Sequence, residues 1–180
     1  MRETESGTQF TARNQYIRMC IAKALIHLLD HKSLEEITIT ALAKAANVSR
    51  MTFYKYYTNK QEVLADYMYE LMSEYMEASS KRKDIGHFGE HKHIYHCFMF
   101  FKQHGKELMT LVKADMYSVI INAVNEYMEL YVLPVSHYSK YELYYYAGAL
   151  CNTYLKWLEG GMIEKPEEIA AIVYKNIGIE

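Results

Sequence analysis

Side chains that can bind nucleic acid are concentrated in one short segment, residues 38–60. Arg50, Thr52 and Lys55 carry donors that suit base edges, whereas tyrosine hydroxyls in the same stretch can reach phosphate oxygens. Lys60 lies where a new helix is expected to begin, and the free backbone N–H groups of a helix start also attract phosphate. The full predicted set of DNA-contacting residues is Thr38, Thr40, Ser49, Arg50, Met51, Thr52, Tyr54, Lys55, Tyr56 and Lys60.

The spacing of the surrounding residues predicts that a helix-turn-helix presents this set. Thr38 and Ser49 are short, oxygen-bearing residues that can cap the first and second helices. Asn47 stands between them and tolerates the left-handed conformation that a sharp turn needs. Phe53 and Tyr57 are four residues apart and can face inward. Apolar residues at helical spacing give the first helix its buried face: Ile39, Leu42, Ala43 and Ala46.

The same segment resembles the DNA-binding domain of the tetracycline-repressor (TetR) type of bacterial regulator. The matching positions are Ile39, the run from Leu42 to Ala46, Val48-Ser49, Thr52-Phe53-Tyr54, Tyr57 and Asn59-Lys60. Two positions depart from the common pattern, because Asn47 replaces a usual glycine and Met51 replaces a glycine or another small residue. Beyond Leu64 the resemblance rests on the layout of helices alone.

The resemblance implies that two parts of the chain have different functions. Three N-terminal helices would bind DNA, and the remaining helices would bind a ligand and form the dimer. Positions that commonly contact DNA in the family match Thr40, Arg50, Met51, Tyr54, Tyr56 and Lys60. A single helix-turn-helix offers too little surface for tight specific binding, so we expect a homodimer on a near-palindromic operator. A ligand in the C-terminal body would displace the long helix that begins near Lys60. Ligand binding would thereby lower the affinity of the protein for its operator.

Composition and charge agree with a DNA-binding end and a separate helical body. Residues 1–60 carry nine Lys and Arg against five Asp and Glu, a balance of +4, whereas residues 61–180 carry eleven against seventeen, a balance of −6. Hydrophobic residues make up 51% of the chain, enough for a substantial core. Three widely spaced cysteines predict no disulfide framework, and no apolar run reaches the length of a membrane span. We therefore expect a cytoplasmic protein that does not enter a membrane.

Helix caps predict an all-α fold of about nine helices, with a three-helix DNA-binding head and a helical body. The predicted domains are residues 1–58 for DNA binding and residues 59–180 for effector binding and dimerisation. Ser33 with Glu36 and Ser139 with Glu142 have the spacing of capping boxes, and Pro166 suits the first turn of a last helix. The long helix after Asn59 is expected to reach Ser80, and another helix is expected over 116–132.

Two sets of residues in the body are candidates for ligand binding and for dimerisation. Tyrosine accounts for 18 residues and can line a pocket for an amphipathic ligand. The candidate effector-binding residues are Tyr95, Met99, Met116, Tyr117, Ile120, Tyr145 and Trp157. Small and apolar residues on the helix that ends near Glu159 would allow close helix approach in a dimer: Ala147, Gly148, Cys151, Tyr154, Leu155 and Leu158. The resemblance implies a four-helix bundle with two helices from each subunit.

Three alternatives to a repressor released by a small molecule remain open. The first is a metal-responsive repressor that uses the histidine-rich segment His87–Cys97, because His93, His96 and Cys97 would share one helix face. The second is a nucleoid-associated protein that binds DNA constitutively. The third is an enzyme, which the sequence disfavours because it has no Gly-rich phosphate loop, nucleophile elbow or metalloprotease histidine pair. No cofactor is predicted.

Overall fold

The computed structural model describes residues 12–177, and within them the chain forms nine α-helices and no strand. The described residues form two compact units, whose boundary in the sequence lies between Tyr67 and Met68. The all-α prediction is therefore confirmed. Within the described residues no helix combines the length and the apolar composition needed to cross a membrane.

The first unit contains α1 (Ala12–Leu29), α2 (Ile39–Ala45), α3 (Arg50–Tyr56) and the first turns of α4 (Lys60–Ser80). Helix α2 packs against both α1 and α3. The core of this unit consists of side chains without solvent exposure: Ile21, Leu25, Leu42, Phe53 and Leu64. An ion pair lies beside this core, in which Arg18 Nε donates to Asp66 Oδ2 at 2.8 Å.

The second unit begins within α4 and continues through α5 (His91–Lys102), α6 (Gly105–Lys113), α7 (Tyr117–Tyr127), α8 (Lys140–Glu159) and α9 (Pro166–Ile177). Helix α8 contacts α6, α7 and α9, and α5 packs along α9. Helix α8 therefore forms the centre of this unit. Gly105, at the start of α6, allows a close approach to α8, because a Cβ atom there would lie 2.9 Å from a methyl carbon of Leu158.

Several predicted helix ends are confirmed by their hydrogen bonds. Ser139 and Glu142 form a complete capping box at the start of α8. Ser33 and Glu36 bond reciprocally in the turn before α2. Pro166 begins α9, with acidic residues in its first turn, which suits the positive end of a helix.

The helix expected over 116–132 differs from the prediction in its last turn. The α-helix ends at Tyr127. The chain then forms a π-helical turn, Met128–Val132, and a short 3₁₀ turn, Leu133–Val135. Pro134 has no N–H group to donate to the preceding turn, so the α-helical ladder cannot continue through it. The single widened turn is a feature that often lies beside functional sites.

Candidate nucleic-acid interface and effector cavity

The turn between α2 and α3 has the conformation that its sequence predicts. Thr38 Oγ1 accepts a hydrogen bond from the N–H of Ala41 at 3.1 Å and caps α2. Asn47 adopts a φ of 54°, the left-handed region. Ser49 Oγ accepts from the N–H of Thr52 at 2.9 Å and caps α3. The Thr38 cap therefore fixes the start of α2, whereas Asn47 and the Ser49 cap fix the turn and the start of α3.

Helix α3 separates its buried residue from its exposed ones as a recognition helix would. Phe53 is fully buried, and its ring lies 5.8 Å from that of Tyr57, which follows the helix and is also buried. Met51 is 80% exposed and Tyr54 is 50% exposed. The remaining predicted contact residues on or near this face are also exposed: Thr38, Thr40, Ser49, Arg50 and Lys55. This face therefore offers donors, together with one large apolar side chain, to a partner.

Three of the predicted DNA-contacting residues are partly buried and make contacts within the first unit. The hydroxyl of Tyr56 donates to Asn14 Oδ1 at 2.8 Å, which ties α3 to α1. The ammonium of Lys60 donates to the backbone oxygen of Ile37 at 2.6 Å and also to that of Leu34. Thr52 shares a hydrogen bond with Ser49. Lys60 thus stabilises the turn before α2, a structural role that its sequence position did not indicate.

The second unit contains a narrow apolar cavity that is partly open to solvent and in which the centre of a water-sized sphere can occupy about 60 Å³. It lies among α4, α5, α7 and α8, and Met128 of the π-helical turn lines it. Aromatic side chains form much of its wall: Tyr75, Phe88, Phe101, Tyr127, Tyr146 and Tyr154. An apolar wall rich in aromatic side chains suits the apolar part of a small ligand.

Only one of the seven predicted effector-binding residues, Ile120, lines this cavity. Tyr145 is 67% exposed on the opposite side of α8, and Tyr117 is also exposed. Trp157 is buried but donates its indole N–H to the carbonyl oxygen of Glu164 at 3.1 Å. Tyr95 and Met99 line a separate surface depression, and Met116 is half-buried before α7. The structure therefore brings only Ile120 of this set to the cavity, and the role of the set in ligand binding stays a prediction.

Most of the predicted dimer residues of α8 are buried within the single chain. Cys151, Tyr154 and Leu155 line the cavity, and Ala147 is fully buried, so their burial occurs within one chain. Leu158 is half-buried against Gly105. Of the six residues, only Gly148 lies on the side of α8 that carries exposed residues. The buried face of α8 thus forms part of the core and of the cavity wall within one chain, and the dimer interface stays a prediction.

The histidine-rich segment does not assemble a metal site in the described part of the chain, where no group of three His, Cys, Asp or Glu side chains could hold a metal ion. His93 Nε2 is hydrogen-bonded to the hydroxyl of Tyr75 at 2.9 Å. Burial, followed by the neighbouring His96, lowers the pKa of His93 to about 4. Cys97 is buried in the cavity wall, and burial raises the pKa of its thiol to about 12. A protonated thiol is a poor metal ligand, because metal binding requires the thiolate.

Comparisons with known proteins agree with this arrangement. A family model described as bacterial regulatory proteins of the tetR family matches residues 21–67, and a model described as a transcriptional regulator C-terminal region matches residues 85–178. A comparison with curated protein sequences found no match.

Several solved structures have a similar fold. FadR from Thermus thermophilus, a TetR-family transcriptional repressor in complex with lauroyl-CoA, is 20% identical, with 89% of this chain and 92% of that chain covered and a TM-score of 0.55. FadR from Bacillus subtilis in complex with stearoyl-CoA is 15% identical, with 90% and 99% covered and a TM-score of 0.59. The dihydroxyacetone kinase operon activator DhaS is 16% identical, with 89% and 93% covered and a TM-score of 0.56.

At these identities the similarity to solved structures concerns the fold. The two family models together cover both the helix-turn-helix unit and most of the second unit. The chain therefore belongs to the TetR family of bacterial transcriptional regulators.

Proposed function

We propose that this protein is a homodimeric repressor of transcription that binds a palindromic operator and is released from it by an apolar small molecule. The observation that carries the proposal is the exposed face of α3, where Arg50, Tyr54 and Lys55 stand on a helix that begins at the Ser49 cap, after the turn at Asn47. Family membership supports DNA binding, and we propose that the protein acts in the cytoplasm, where a bacterial operator is found.

In the bound state α3 would lie in the major groove. Arg50 and Lys55 would contact base edges or phosphates, whereas Thr38 and Thr40 at the start of α2 would contact the backbone. Met51, at 80% exposure, has no polar group for base edges. It would instead make apolar contact, for which a thymine methyl group is a suitable partner.

The cavity of the second unit supports the proposal of an apolar effector. Its lining residues are Met, Leu, Ile, Val, Cys and aromatic side chains, with one histidine. The complexes of the two FadR proteins with lauroyl-CoA and stearoyl-CoA are consistent with ligands that carry a long apolar chain. We propose that an apolar ligand in this cavity lowers the affinity of the protein for its operator.

The dimer would form through the exposed side of α8 together with α9. Tyr141 and Tyr145, at 81% and 67% exposure, lie on one stripe of α8 with the half-buried Gly148. On α9, Ile172 is 54% exposed and provides further apolar surface. Apolar side chains at this exposure are costly in a monomer and are what a buried interface requires.

DNA binding and dimerisation are tested by two matched experiments. In a fluorescence anisotropy titration with a selected operator, Arg50→Ala should weaken binding at least tenfold, whereas Lys113→Ala at the exposed end of α6 should leave it unchanged. In sedimentation velocity, Ile172→Glu should shift the protein towards monomer. Tyr69→Glu, a substitution at an exposed residue of α4, should not. Equal behaviour of each variant and its control would contradict the corresponding assignment.

The sign of regulation is tested with a promoter reporter that contains the selected operator. We expect lower expression when the protein is present and recovery when an apolar ligand is added. An increase of expression that requires the protein would instead indicate an activator, the role that is stated for DhaS.

A further inference from the structure

Two side chains that line the apolar cavity each have a buried polar atom with no hydrogen-bond partner among the described residues. These atoms are the hydroxyl oxygen of Tyr146 and Nδ1 of His93. Tyr146 as a whole is 1% exposed. Buried polar atoms are nearly always paired, because leaving one unpaired costs about 1–3 kcal/mol. A pair of such atoms on side chains that line one cavity therefore indicates where a ligand would supply the missing partners.

The two groups lie in the same region of the cavity wall. The ring of Phe88 is 4.6 Å from that of Tyr146 and 5.6 Å from that of His93, measured between centroids. The other nitrogen of His93, Nε2, is held by the hydroxyl of Tyr75 at 2.9 Å. This contact fixes the orientation of the imidazole ring and leaves Nδ1 as the nitrogen available to a ligand.

Both groups are uncharged at neutral pH. Burial lowers the pKa of His93 to about 4, so the imidazole is neutral. Burial also raises the pKa of Tyr146 far above its ordinary value, so the phenol keeps its proton and can donate it. Among the described residues that line the cavity there is no lysine, arginine, aspartate or glutamate. A charged ligand group would therefore lose its hydration without gaining an opposite charge.

We propose that Tyr146 and His93 bind an uncharged oxygen group, a hydroxyl or a carbonyl, of an otherwise apolar effector. The Tyr146 hydroxyl donates to this oxygen, and His93 Nδ1 donates or accepts according to its tautomer. This assignment rests on the proposed function, in which the same cavity receives the effector. It adds that the site selects neutral ligands against carboxylates and amines that have the same chain.

The test is a calorimetric titration of the full-length protein at pH 7.5 with three probes of equal chain length: 1-decanol, decanoate and decylamine. We expect 1-decanol to bind at least about 100-fold more tightly than either charged probe, since burial of an unpaired charge opposes binding. Tyr146→Phe should weaken 1-decanol binding roughly 5- to 10-fold, as the loss of one hydrogen bond does. The matched control is Tyr69→Phe on α4, because the Tyr69 side chain is exposed and lies outside the cavity.

A thermal melt of each free variant accompanies the titration. Tyr146→Phe should melt no lower than the wild type, because the deleted hydroxyl has no partner in the described residues. Equal affinity for decanoate and 1-decanol would overturn the assignment but leave an apolar effector site in place. Failure of all three probes to bind would overturn both the assignment and the proposed effector site. The selectivity of the wild type needs no variant, so the test holds even if a substitution prevents folding.

Discussion

The ion pair between Arg18 and Asp66 allows a quantitative prediction about what holds the recognition helix in place. Asp66 Oδ2 accepts from Arg18 Nε at 2.8 Å and from the hydroxyl of Tyr57 at 2.5 Å, and Asp66 Oδ1 accepts a further bond from the same guanidinium. The side chains of Arg18 and Asp66 are 11% and 16% exposed. Tyr57 follows α3 directly, so one carboxylate joins α1, the end of α3 and α4.

Asp66→Ala removes the acceptor of all three bonds from a largely buried position. Removal of one partner from a buried ion pair costs roughly 3–5 kcal/mol, and the residual exposure favours the lower end, about 3 kcal/mol. Asp66→Asn keeps the shape and one acceptor oxygen but loses the charge, so we expect a smaller loss. Because α3 loses one of its anchors, DNA affinity should fall together with stability.

The assay is urea unfolding monitored by circular dichroism. The slope of the unfolding free energy against urea concentration should be the same in the wild type and the variants. Asp84→Ala is the matched control, because Asp84 pairs with Arg82 in an aspartate–arginine ion pair that is exposed on both sides. We expect no measurable change in the control, since exposed ion pairs contribute little. An Asp66→Ala protein as stable as the Asp84→Ala protein would refute the reasoning.

Three further predictions concern the cap, the DNA contact and the pH dependence. Ser49→Ala removes the cap of α3 and should lower the unfolding free energy by about 1 kcal/mol in the same urea assay. Arg50→Ala should reduce the slope of log affinity against log salt concentration by about 0.9, since one phosphate contact is lost; anisotropy titrations at several salt concentrations measure it. The pKa of His93 is about 4 in the folded chain and ordinarily 6.5. As the pH falls, the unfolded chain therefore binds this proton at a higher pH than the folded chain does. Stability should therefore fall as the pH decreases from 6.5 to 4, by up to about 1.4 kcal/mol per pH unit from this group, and His93→Gln should flatten that dependence in melts across the range.

Each of these predictions has a result that would contradict it. An unchanged unfolding free energy in Ser49→Ala would mean that the cap contributes nothing to α3. A salt slope in Arg50→Ala equal to that of Lys113→Ala would show that Arg50 makes no phosphate contact. The same pH dependence with and without the His93 imidazole would show that this group is not the source of the acid sensitivity.

Features set by local sequence could be predicted from the residues alone. The caps at Thr38, Ser49 and Ser139 and the left-handed Asn47 depend on hydrogen bonds and backbone freedom within four residues. Helix starts and ends follow from these short-range effects, so they are visible without knowledge of the tertiary structure. The exposed face of α3 could also be predicted, because Phe53 is the apolar residue that must face the core and the residues on the other sides of the helix are then exposed.

The cavity and the faces of α8 could not be predicted, because tyrosine suits both buried and exposed positions. Tyr145 and Tyr146 are neighbours of the same type, yet one is 67% exposed and the other is 1% exposed. A helix with apolar residues on most sides does not reveal which face meets the core and which meets a second subunit. The bonds from Lys60 to the turn before α2 were missed for a related reason, since they join residues 23 and 26 positions apart.

The central claim is that the helix-turn-helix of this protein reads a specific palindrome as a dimer. The most direct measurement is in vitro selection of bound DNA from a random pool with the full-length protein, followed by sequencing. We expect enrichment of two inverted half-sites with centres about one helical turn, roughly 10 base pairs, apart or at a multiple of it. A pool that shows no enriched sequence, or only a single unpaired half-site, would contradict the claim.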